Sequence, residues 1–319
     1  MMFIGVDTSN YTASVCALDE KYIFNKRQIL SVKQGERGIR QSEGVFQHMK
    51  IFPGLYNELR GEFDISKVMA VGVSTKPRNV EGSYMPVFLA GMGYAKVIAD
   101  TLGVPLYEFS HQDGHIMAGI RSSKRYDLLK KEFISVHLSG GTTEILKTRY
   151  NGYNFDNSII GGTLDISAGQ LIDRIGVKLG MPFPAGKHME RYANDTDKKI
   201  KFHIKTNGTY MNISGIETKA SRMADNESDI DIGAVSRGIL ECIGDALNNT
   251  VACALKDNGL DSALISGGVA SNNIIREGLC SMPFDIAFAS KEFATDNAMG
   301  IAELTRLVYG SKNRNSIPN

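Results

Sequence analysis

The chain has 319 residues, of which 42% are hydrophobic and 22% charged, and its 36 Lys and Arg residues nearly balance 35 Asp and Glu. This length predicts two lobes. A net charge of +1 does not indicate a nucleic-acid partner, so any RNA contact would need a local patch. No apolar run reaches the roughly 18 residues of a membrane span, and four scattered cysteines without a Cys-x-x-Cys pair indicate a reduced, cytoplasmic protein.

The N-terminal residues predict a β-hairpin. Residues 3–6 and 12–18 are mostly apolar, and Asp, Thr, Ser and Asn fill the turn between them. Such a turn can offer hydroxyl and amide groups to a phosphate, with Asp7 available to a metal ion or a water molecule. An ordinary polar turn is the alternative that the pattern leaves open.

Strands and helices alternate in the residues that follow. Residues 45–59 are amphipathic and residues 86–102 are rich in small side chains, so both segments predict helices. Residues 68–74 and 104–109 are short, largely apolar runs that predict strands. Alternation of this kind indicates an α/β layered architecture.

A pair of histidines follows these strands. His111 and His115 are four residues apart, so on a helical turn both imidazoles lie on one face and can reach one ion. A metal needs a further ligand, and Asp296, far along the chain, is the best candidate. A chance pair on a helix surface is the alternative, whereas a zinc-protease motif is excluded because Gln112 stands where that motif has Glu.

A second strand–turn–strand pattern opens the other half of the chain. Residues 133–138 and 145–147 predict strands, and the turn between them contains Ser139, Gly140 and Gly141. Glycines let a ligand approach the backbone closely, and the hydroxyl and N–H groups of such a turn can hold a phosphate. Two similar hairpins, one in each half, suggest a duplicated fold with a cleft between the copies.

The remaining residues predict mainly helices. Residues 161–173 lead into a helix that ends near residue 179, with Asp165 as its N-cap and Asp173 two turns further on. Residues 187–222 are Lys-rich with interleaved acidic residues, which predicts a solvated loop more than an RNA patch. The last predicted elements are a helix at 233–255, a strand from 263 to Gly267-Gly268, a helix from about 273 and a helix at 297–308. The N-terminal N–H groups of the helix from about 273 could bind an anion.

The ordered motifs together resemble a known family. They resemble the actin / sugar kinase / Hsp70 superfamily and, within it, the tRNA threonylcarbamoyladenosine transferase family (TsaD, formerly described as O-sialoglycoprotein endopeptidase). The resemblance extends from Ile4 to about Leu307. Its motifs are Asp7-Thr8-Ser9, Ser139-Gly140-Gly141-Thr142-Thr143, Ser266-Gly267-Gly268-Val269-Ala270-Ser271-Asn272, and the histidine pair with Thr295-Asp296-Asn297-Ala298.

The resemblance implies a fold class and a division into domains. The fold would be α/β, with two duplicated actin-like (ribonuclease H-like) lobes and a nucleotide and metal cleft between them. Residues 1–109 would form the N-terminal lobe, on which the last helix, about 297–319, packs back. Residues 110–296 would form the C-terminal lobe with helical insertions.

The resemblance also implies an activity. Such enzymes transfer the threonylcarbamoyl group from threonylcarbamoyl-AMP to the exocyclic amine of the tRNA adenosine beside the anticodon. The implied cofactor is one iron or zinc ion held by His111, His115 and Asp296, and the implied nucleotide is the adenylate substrate, with ATP as a further candidate. The implied partners are tRNA and a TsaB-like accessory protein in the cytoplasm, with no membrane.

The resemblance assigns further residues to the adenylate and to catalysis. Asp7 is the catalytic candidate. The residues expected at the phosphate, ribose and base are His137, Leu138, Ser139, Gly140, Gly141, Asp173, Gly186, Glu190, Gly267, Gly268 and Asn272.

The chain also departs from the family pattern at four places. The acidic pair of the opening motif is absent from Asn10-Tyr11-Thr12, and Lys76-Pro77-Arg78-Asn79 replaces Gly-Pro-Gly-Leu. Thr142 replaces His, and Glu217 replaces Lys. These changes leave two alternatives open: a divergent paralogue that acts on another carbamoyl or acyl acceptor, and a non-catalytic nucleotide-binding subunit.

Overall fold

The computed structural model describes residues 1–9, 11–32, 39–226, 230–280 and 283–314 of the chain. Asn10, at the first departure from the family pattern, and the end of the last predicted helix therefore lie outside the described residues. No helix in this described part is long and apolar enough to cross a membrane.

The helices and strands alternate along most of the chain, as expected for an α/β protein. The helices are α1 Gln41–Glu62, α2 Phe88–Leu102, α3 His111–Ser123, α4 Ala168–Lys178, α5 Gly186–Asn194, α6 Ser214–Asn226, α7 Ile232–Asn258, α8 Asn273–Cys280 and α9 Met299–Arg314. The strands are β1 Met2–Ser9, β2 Thr12–Leu18, β3 Ile23–Ile29, β4 Val68–Lys76, β5 Leu106–Ser110, β6 Phe133–Leu138, β7 Thr143–Tyr150, β8 Phe155–Thr163, β9 Lys205–Asn207, β10 Tyr210–Asn212, β11 Ser262–Ser266 and β12 Asp285–Phe288.

The chain divides into two compact units. Unit 1 contains Met1–Lys130, Tyr150–Asp156 and the chain from Asp296 onward, and unit 2 contains Lys131–Arg149 and Asn157–Thr295. This division keeps residues 110–130 in unit 1, beyond the boundary predicted at residue 110, since α3 packs along α9. The limits of the folding domains themselves stay a prediction.

The sheet of unit 1 has the strand order β3-β2-β1-β4-β5. Strands β1 and β2 pair antiparallel, with Ser9 opposite Thr12, and this confirms the predicted N-terminal hairpin. Strands β1, β4 and β5 run parallel, so their carboxyl ends, and the polar residues that end them, lie at one edge of the sheet.

Apolar side chains of the central strands form the core of unit 1 against α1 and α2. Ile4, Val6 and Val73 belong to a buried cluster that includes Phe52 of α1 and Ala95 of α2. The opposite face of the same sheet is covered by α9. Burial on both faces explains why β1 and β4 are nearly continuous apolar runs rather than alternating ones.

The sheet of unit 2 has the order β12-β11-β6-β7-β8-β10-β9. Strands β6 and β7 pair antiparallel, which confirms the second predicted hairpin, and β11 pairs parallel with β6. The prediction of a loop across residues 187–222 is wrong: most of α5, strands β9 and β10, and part of α6 lie there. Their buried residues, such as Met189 and Ile216, join the core and override the Lys-rich surface pattern.

The start of α4 also differs from the sequence prediction. Asp165 is not its N-cap, because Ser167 and Gln170 form a capping box around the first turn. Asp165 instead accepts hydrogen bonds from the backbone amides of Ile213 and Ser214 and thereby fixes the start of α6.

The close packing of α3 on α9 generates a testable prediction. A Cβ atom on Gly300 would lie 1.9 Å from the carbonyl oxygen of Gly114, so Gly300→Ala should destabilise the fold by about 1–3 kcal/mol. Gly310 is in the same helix with nothing within 4 Å of its Cβ position, so Gly310→Ala should be neutral or stabilising by up to about 1 kcal/mol. Denaturant unfolding of both variants measures the difference, and equal effects would contradict the packing argument.

Candidate metal centre and nucleotide site

Helix α3 begins at His111 because Ser110 and Asp113 form a capping box. The hydroxyl of Ser110 accepts a hydrogen bond from the amide of Asp113 (3.1 Å), and the Asp113 carboxylate accepts one from the amide of Ser110 (2.9 Å). The helix therefore starts at the first histidine and carries His115 one turn along the same face. This confirms the helical turn predicted for the pair.

Three side chains converge at this point of unit 1. The Nε2 atoms of His111 and His115 are 3.0 Å apart, and Asp296 Oδ1 lies 3.5 Å from the first and 3.2 Å from the second. Bonds of about 2.0–2.1 Å to a tetrahedral metal ion place its ligand atoms about 3.3 Å apart. The three donor atoms therefore have the spacing of metal ligands, and these side chains could hold an ion together.

Asp7 contacts the second ring nitrogen of His111, the one that does not face the other histidine. Its Oδ1 atom lies 3.1 Å from His111 Nδ1 and also accepts a hydrogen bond from the hydroxyl of Ser74. A carboxylate on the second ring nitrogen is the usual support of a metal-binding histidine, because it fixes the ring and its tautomer. Asp7 is fully buried, and its Oδ2 atom has no hydrogen-bond partner among the described residues.

The charges at this centre shift the pKa values of His111 and Asp296. Burial by itself lowers the pKa of His111, but the carboxylates of Asp7 and Asp296 outweigh it and raise the pKa to about 10. Burial raises the pKa of Asp296, but hydrogen bonds from His111 and His115 hold it well below its usual range. The two carboxylates therefore require a positive charge between them, which a proton on His111 or a metal cation supplies.

Two further residues contact Asp296, and sequence reasoning missed both contacts. The hydroxyl of Thr12 donates to Asp296 Oδ2 over 3.3 Å, and Arg27 Nη1 donates to the Asp296 carbonyl oxygen over 3.2 Å. The polar turn of the first hairpin pointed to a hydroxyl group at this place, and Thr12 supplies it. No sequence motif singled out Arg27, which lies on the edge strand β3.

The turn of the predicted phosphate hairpin in unit 2 is held by hydrogen bonds between Ser139 and Thr142. Ser139 N donates to the carbonyl of Thr142 (2.9 Å), and Thr142 N donates to the Ser139 hydroxyl (3.1 Å). A Cβ atom on Gly140 or Gly141 would meet nothing within 4 Å, so the space in front of this turn is open. The turn therefore leaves room for a ligand at its glycines.

The N-terminus of α4 packs directly against this hairpin. The hydroxyl of Ser167 donates to the Gly140 carbonyl (2.7 Å), and a Cβ atom on Gly169 would lie 2.4 Å from the Ser139 carbonyl oxygen. On the other side, Gly267 has φ +100°, and a Cβ atom there would lie 2.1 Å from the Leu138 carbonyl oxygen. The backbone at the end of β6 and in the turn after it is thus in close contact with both neighbouring elements, as only glycine permits.

The residues predicted at the ribose and base form a second group in unit 2. Asp173 Oδ1 accepts a hydrogen bond from Ala185 N (2.8 Å), directly before Gly186 at the start of α5. Burial raises the pKa of Asp173, and the Ala185 amide partly offsets that effect. Glu190 Oε1 accepts from Asn273 N (2.8 Å) and so joins α5 to the start of α8.

Asn272 and His137 complete the predicted nucleotide residues. Asn272 is 7% exposed, and its Oδ1 atom accepts a hydrogen bond from Ile275 N (3.1 Å) in the first turn of α8. His137 Nδ1 lies 3.4 Å from the Ser266 hydroxyl, beside Gly267 and Gly268. The structure thus places every predicted adenylate residue in unit 2 and every predicted metal ligand in unit 1.

The residues that depart from the family pattern have local partners. Asn79 donates to Asp113 Oδ2 (2.7 Å), and Pro77 accepts from the amide of Gln112 (3.0 Å), which ties the changed loop to α3. In unit 2, Glu217 forms an ion pair with Arg174 at 3.0 Å.

The chain is similar to known proteins over most of its length. The family described as "TsaD: tRNA N6-adenosine threonylcarbamoyltransferase" matches residues 24–303. A curated tRNA N6-adenosine threonylcarbamoyltransferase from Mycoplasma mobile is 27% identical over 95% of this chain and 96% of its own length. One from Thermus thermophilus is 27% identical over 95% of this chain and 91% of its own length. A probable bifunctional tRNA threonylcarbamoyladenosine biosynthesis protein from Thermoplasma volcanium is 27% identical over 99% of this chain and 58% of its own length.

Solved structures are similar in fold. HypF from T. kodakarensis superposes with a TM-score of 0.61 at 12% identity, covering 98% of this chain and 48% of that protein. A ROK family glucokinase from Streptomyces griseus gives a TM-score of 0.53 at 12% identity, covering 96% of this chain and 99% of that one. These likenesses confirm the predicted α/β class with two actin-like lobes.

The pKa of His111 generates a prediction for the metal-free protein. A pKa of about 10 in the folded state lies above the ordinary value of 6.5, so the stabilisation from His111 is complete below about pH 6.5 and is lost as the pH rises toward 10. With a chelator present, the free energy of unfolding should therefore fall more steeply from pH 6.5 to 9.5 in the unsubstituted protein than in His111→Gln. Denaturant unfolding at several pH values measures this, and parallel curves would contradict the assignment.

Proposed function

The chain belongs to the tRNA N6-adenosine threonylcarbamoyltransferase family, and we propose that it transfers a threonylcarbamoyl group from threonylcarbamoyl-AMP to the exocyclic amine of the tRNA adenosine beside the anticodon. The observation that carries the proposal is the convergence of His111, His115 and Asp296 at ligand spacing, although His115 and Asp296 are 181 positions apart in the chain. In the reaction the adenosine nitrogen bonds to the carbamoyl carbon, the bond from that carbon to the phosphate oxygen breaks, and AMP and a proton leave.

Iron or zinc suits the proposed metal centre. Two imidazole nitrogens and a carboxylate oxygen are ligands that both metals accept, and a three-ligand site leaves a position for substrate. When bound, such an ion supplies a Lewis acid that polarises a carbonyl or holds phosphate oxygens. The spacing of the three donor atoms and the carboxylate behind His111 support this assignment.

Asp7, the catalytic candidate of the sequence analysis, supports a metal ligand in this proposal. Its side chain is fully buried and already engages His111 and Ser74. A carboxylate in that position orients the His111 ring and stabilises its Nδ1 proton, so that Nε2 keeps its lone pair for the metal. We therefore assign Asp7 to the support of the ligand rather than to direct contact with the attacking amine.

The adenylate would be bound by residues of unit 2. The turn at Gly140 and Gly141 has open space at its Cα atoms, so a phosphate placed there can accept hydrogen bonds from backbone amides of the turn, which stabilises the leaving phosphate as charge develops on it. Asp173 and Glu190 each use one oxygen for a backbone amide, and the other oxygen can accept from a ribose hydroxyl. The Asn272 side-chain amide, whose oxygen caps α8, can donate to an adenine edge.

A nucleoside assay tests the proposal directly. Incubation with threonylcarbamoyl-AMP, tRNA and the TsaB-like accessory protein that we expect as a partner in the cytoplasm should yield threonylcarbamoyladenosine, detected by mass analysis. Asp296→Asn should lower the yield about 100-fold, because it removes the negatively charged ligand. Absence of modified adenosine under these conditions would reject the function. Donor consumption without a tRNA product would instead favour the paralogue that uses another acceptor.

The two functions of Asn272 can be separated by substitution. Asn272→Asp keeps the oxygen that accepts from Ile275 N but removes the amide donor, so stability should change by less than about 1 kcal/mol while AMP affinity falls about tenfold. Calorimetric titration with AMP measures the affinity. Asn273→Asp adds the same charge one residue away and is the control, and equal losses in both variants would show that only the charge matters.

A further inference from the structure

Strand alternation divides the first hairpin into two faces. Ala13 and Val15 of β2 belong to the buried cluster with α1, so Thr12 and Ser14 point to the opposite face. That face is the one with the metal centre, since the Thr12 hydroxyl donates to Asp296.

Arg27 lies on the same face as the metal centre. It stands directly opposite Ser14 in the antiparallel pair of β2 and β3, and opposed residues share a face. Its guanidinium is exposed, and Nη1 donates to the Asp296 carbonyl oxygen at 3.2 Å. A guanidinium has five N–H donors in a planar fork, so it can contact Asp296 and bind an anion at the same time.

Two hydroxyl groups, those of Ser9 and Thr12, lie on the same face of the sheet as Arg27. Ser9 is directly opposite Thr12 in the hairpin, which places their Cβ atoms about 5 Å apart on one face. The Ser9 side chain is 2% exposed, and its hydroxyl has no hydrogen-bond partner within the ranges that the structure describes. Buried hydroxyls rarely lack a partner, so Ser9 is a donor for a ligand at this edge.

The charge balance at this edge favours an anionic ligand. The carboxylates of Asp7 and Asp296 together neutralise a divalent cation, and Arg27 then adds a net positive charge. The turn itself carries no opposing charge, because Asn10-Tyr11-Thr12 lacks acidic residues.

We propose that Arg27, with the hydroxyls of Ser9 and Thr12, binds the threonine carboxylate of the acyl donor and so selects an amino-acid carbamoyl group. This inference rests on the proposed function, which supplies a donor with two anionic groups. The phosphate already has a proposed site at the glycines of the turn in unit 2, so the carboxylate is the anion that we assign to Arg27.

Binding of three ligands to the zinc-loaded protein tests the inference. The ligands are threonylcarbamoyl-AMP, the same molecule with the threonine carboxylate as a methyl ester, and AMP. Arg27→Gln should weaken binding of the first about tenfold or more, because a charge-assisted hydrogen bond is lost, and should leave the other two unchanged. Arg27→Lys, which keeps the charge without the fork, should recover part of the affinity.

Lys26→Gln is the matched control. Lys26 is the adjacent residue on the same strand, but it points to the other face and forms an ion pair with Glu58 at 3.0 Å. The same charge change there should leave affinity for all three ligands unchanged. An equal loss in Lys26→Gln would show a long-range charge effect and overturn the inference, as would an equal loss of AMP or ester binding in Arg27→Gln.

The remaining outcomes separate this inference from the function on which it rests. If the unsubstituted protein binds threonylcarbamoyl-AMP and Arg27→Gln binds it equally well, only the role of Arg27 is overturned. If the unsubstituted protein binds AMP but gains no affinity from the threonylcarbamoyl group, the proposed donor is rejected and the inference with it.

Discussion

The interaction on which the candidate site depends is the placement of His111 between two carboxylates. Asp7 faces Nδ1 and Asp296 faces Nε2, and Asp7 is completely buried. Two negative charges around one partly buried ring are unfavourable unless a cation lies among them. A proton on the ring satisfies this requirement, and a divalent ion would satisfy it more fully because His115 offers it a further ligand atom. The site therefore has a structural need for positive charge that is separate from its chemistry.

The packing of two helices brings the third ligand to this ring. Asp296 precedes α9, so its position follows from how closely α9 approaches α3. Gly300 makes that approach possible, because a Cβ atom there would lie 1.9 Å from the Gly114 carbonyl oxygen and 2.7 Å from Ala118 N. Gly114, which weakens an isolated helical turn, is therefore a contact residue of the helix pair. The same contact explains why residues 110–130 lie in unit 1.

Local patterns predicted the parts of the structure that depend on neighbouring residues. The two hairpins, the helical turn with both histidines, and the helices at α2 and α7 follow from apolar periodicity and small polar turns. Residues 187–222 did not, because their Lys-rich surface hides short apolar stretches that only the core of unit 2 reveals. Contacts such as Arg27 with Asp296 join residues 269 positions apart, and no spacing rule in the sequence marks them.

The residues that depart from the family pattern differ in what they change. Three of these residues form local contacts: Asn79 donates a hydrogen bond to Asp113, and Thr142 closes the turn with Ser139. Glu217 forms an ion pair with Arg174. Each of the three changes is therefore accommodated by its neighbours. The absence of an acidic pair at the first turn has a different consequence, because Thr12 of that turn contacts Asp296. Thr12 and Arg27 both contact Asp296, which is one of the candidate metal ligands. A change of charge beside Asp296 alters the electrostatics of the candidate metal centre while its three candidate ligands stay in place. The divergence of this chain therefore lies beside the candidate metal centre, and the three residues that build the centre are retained.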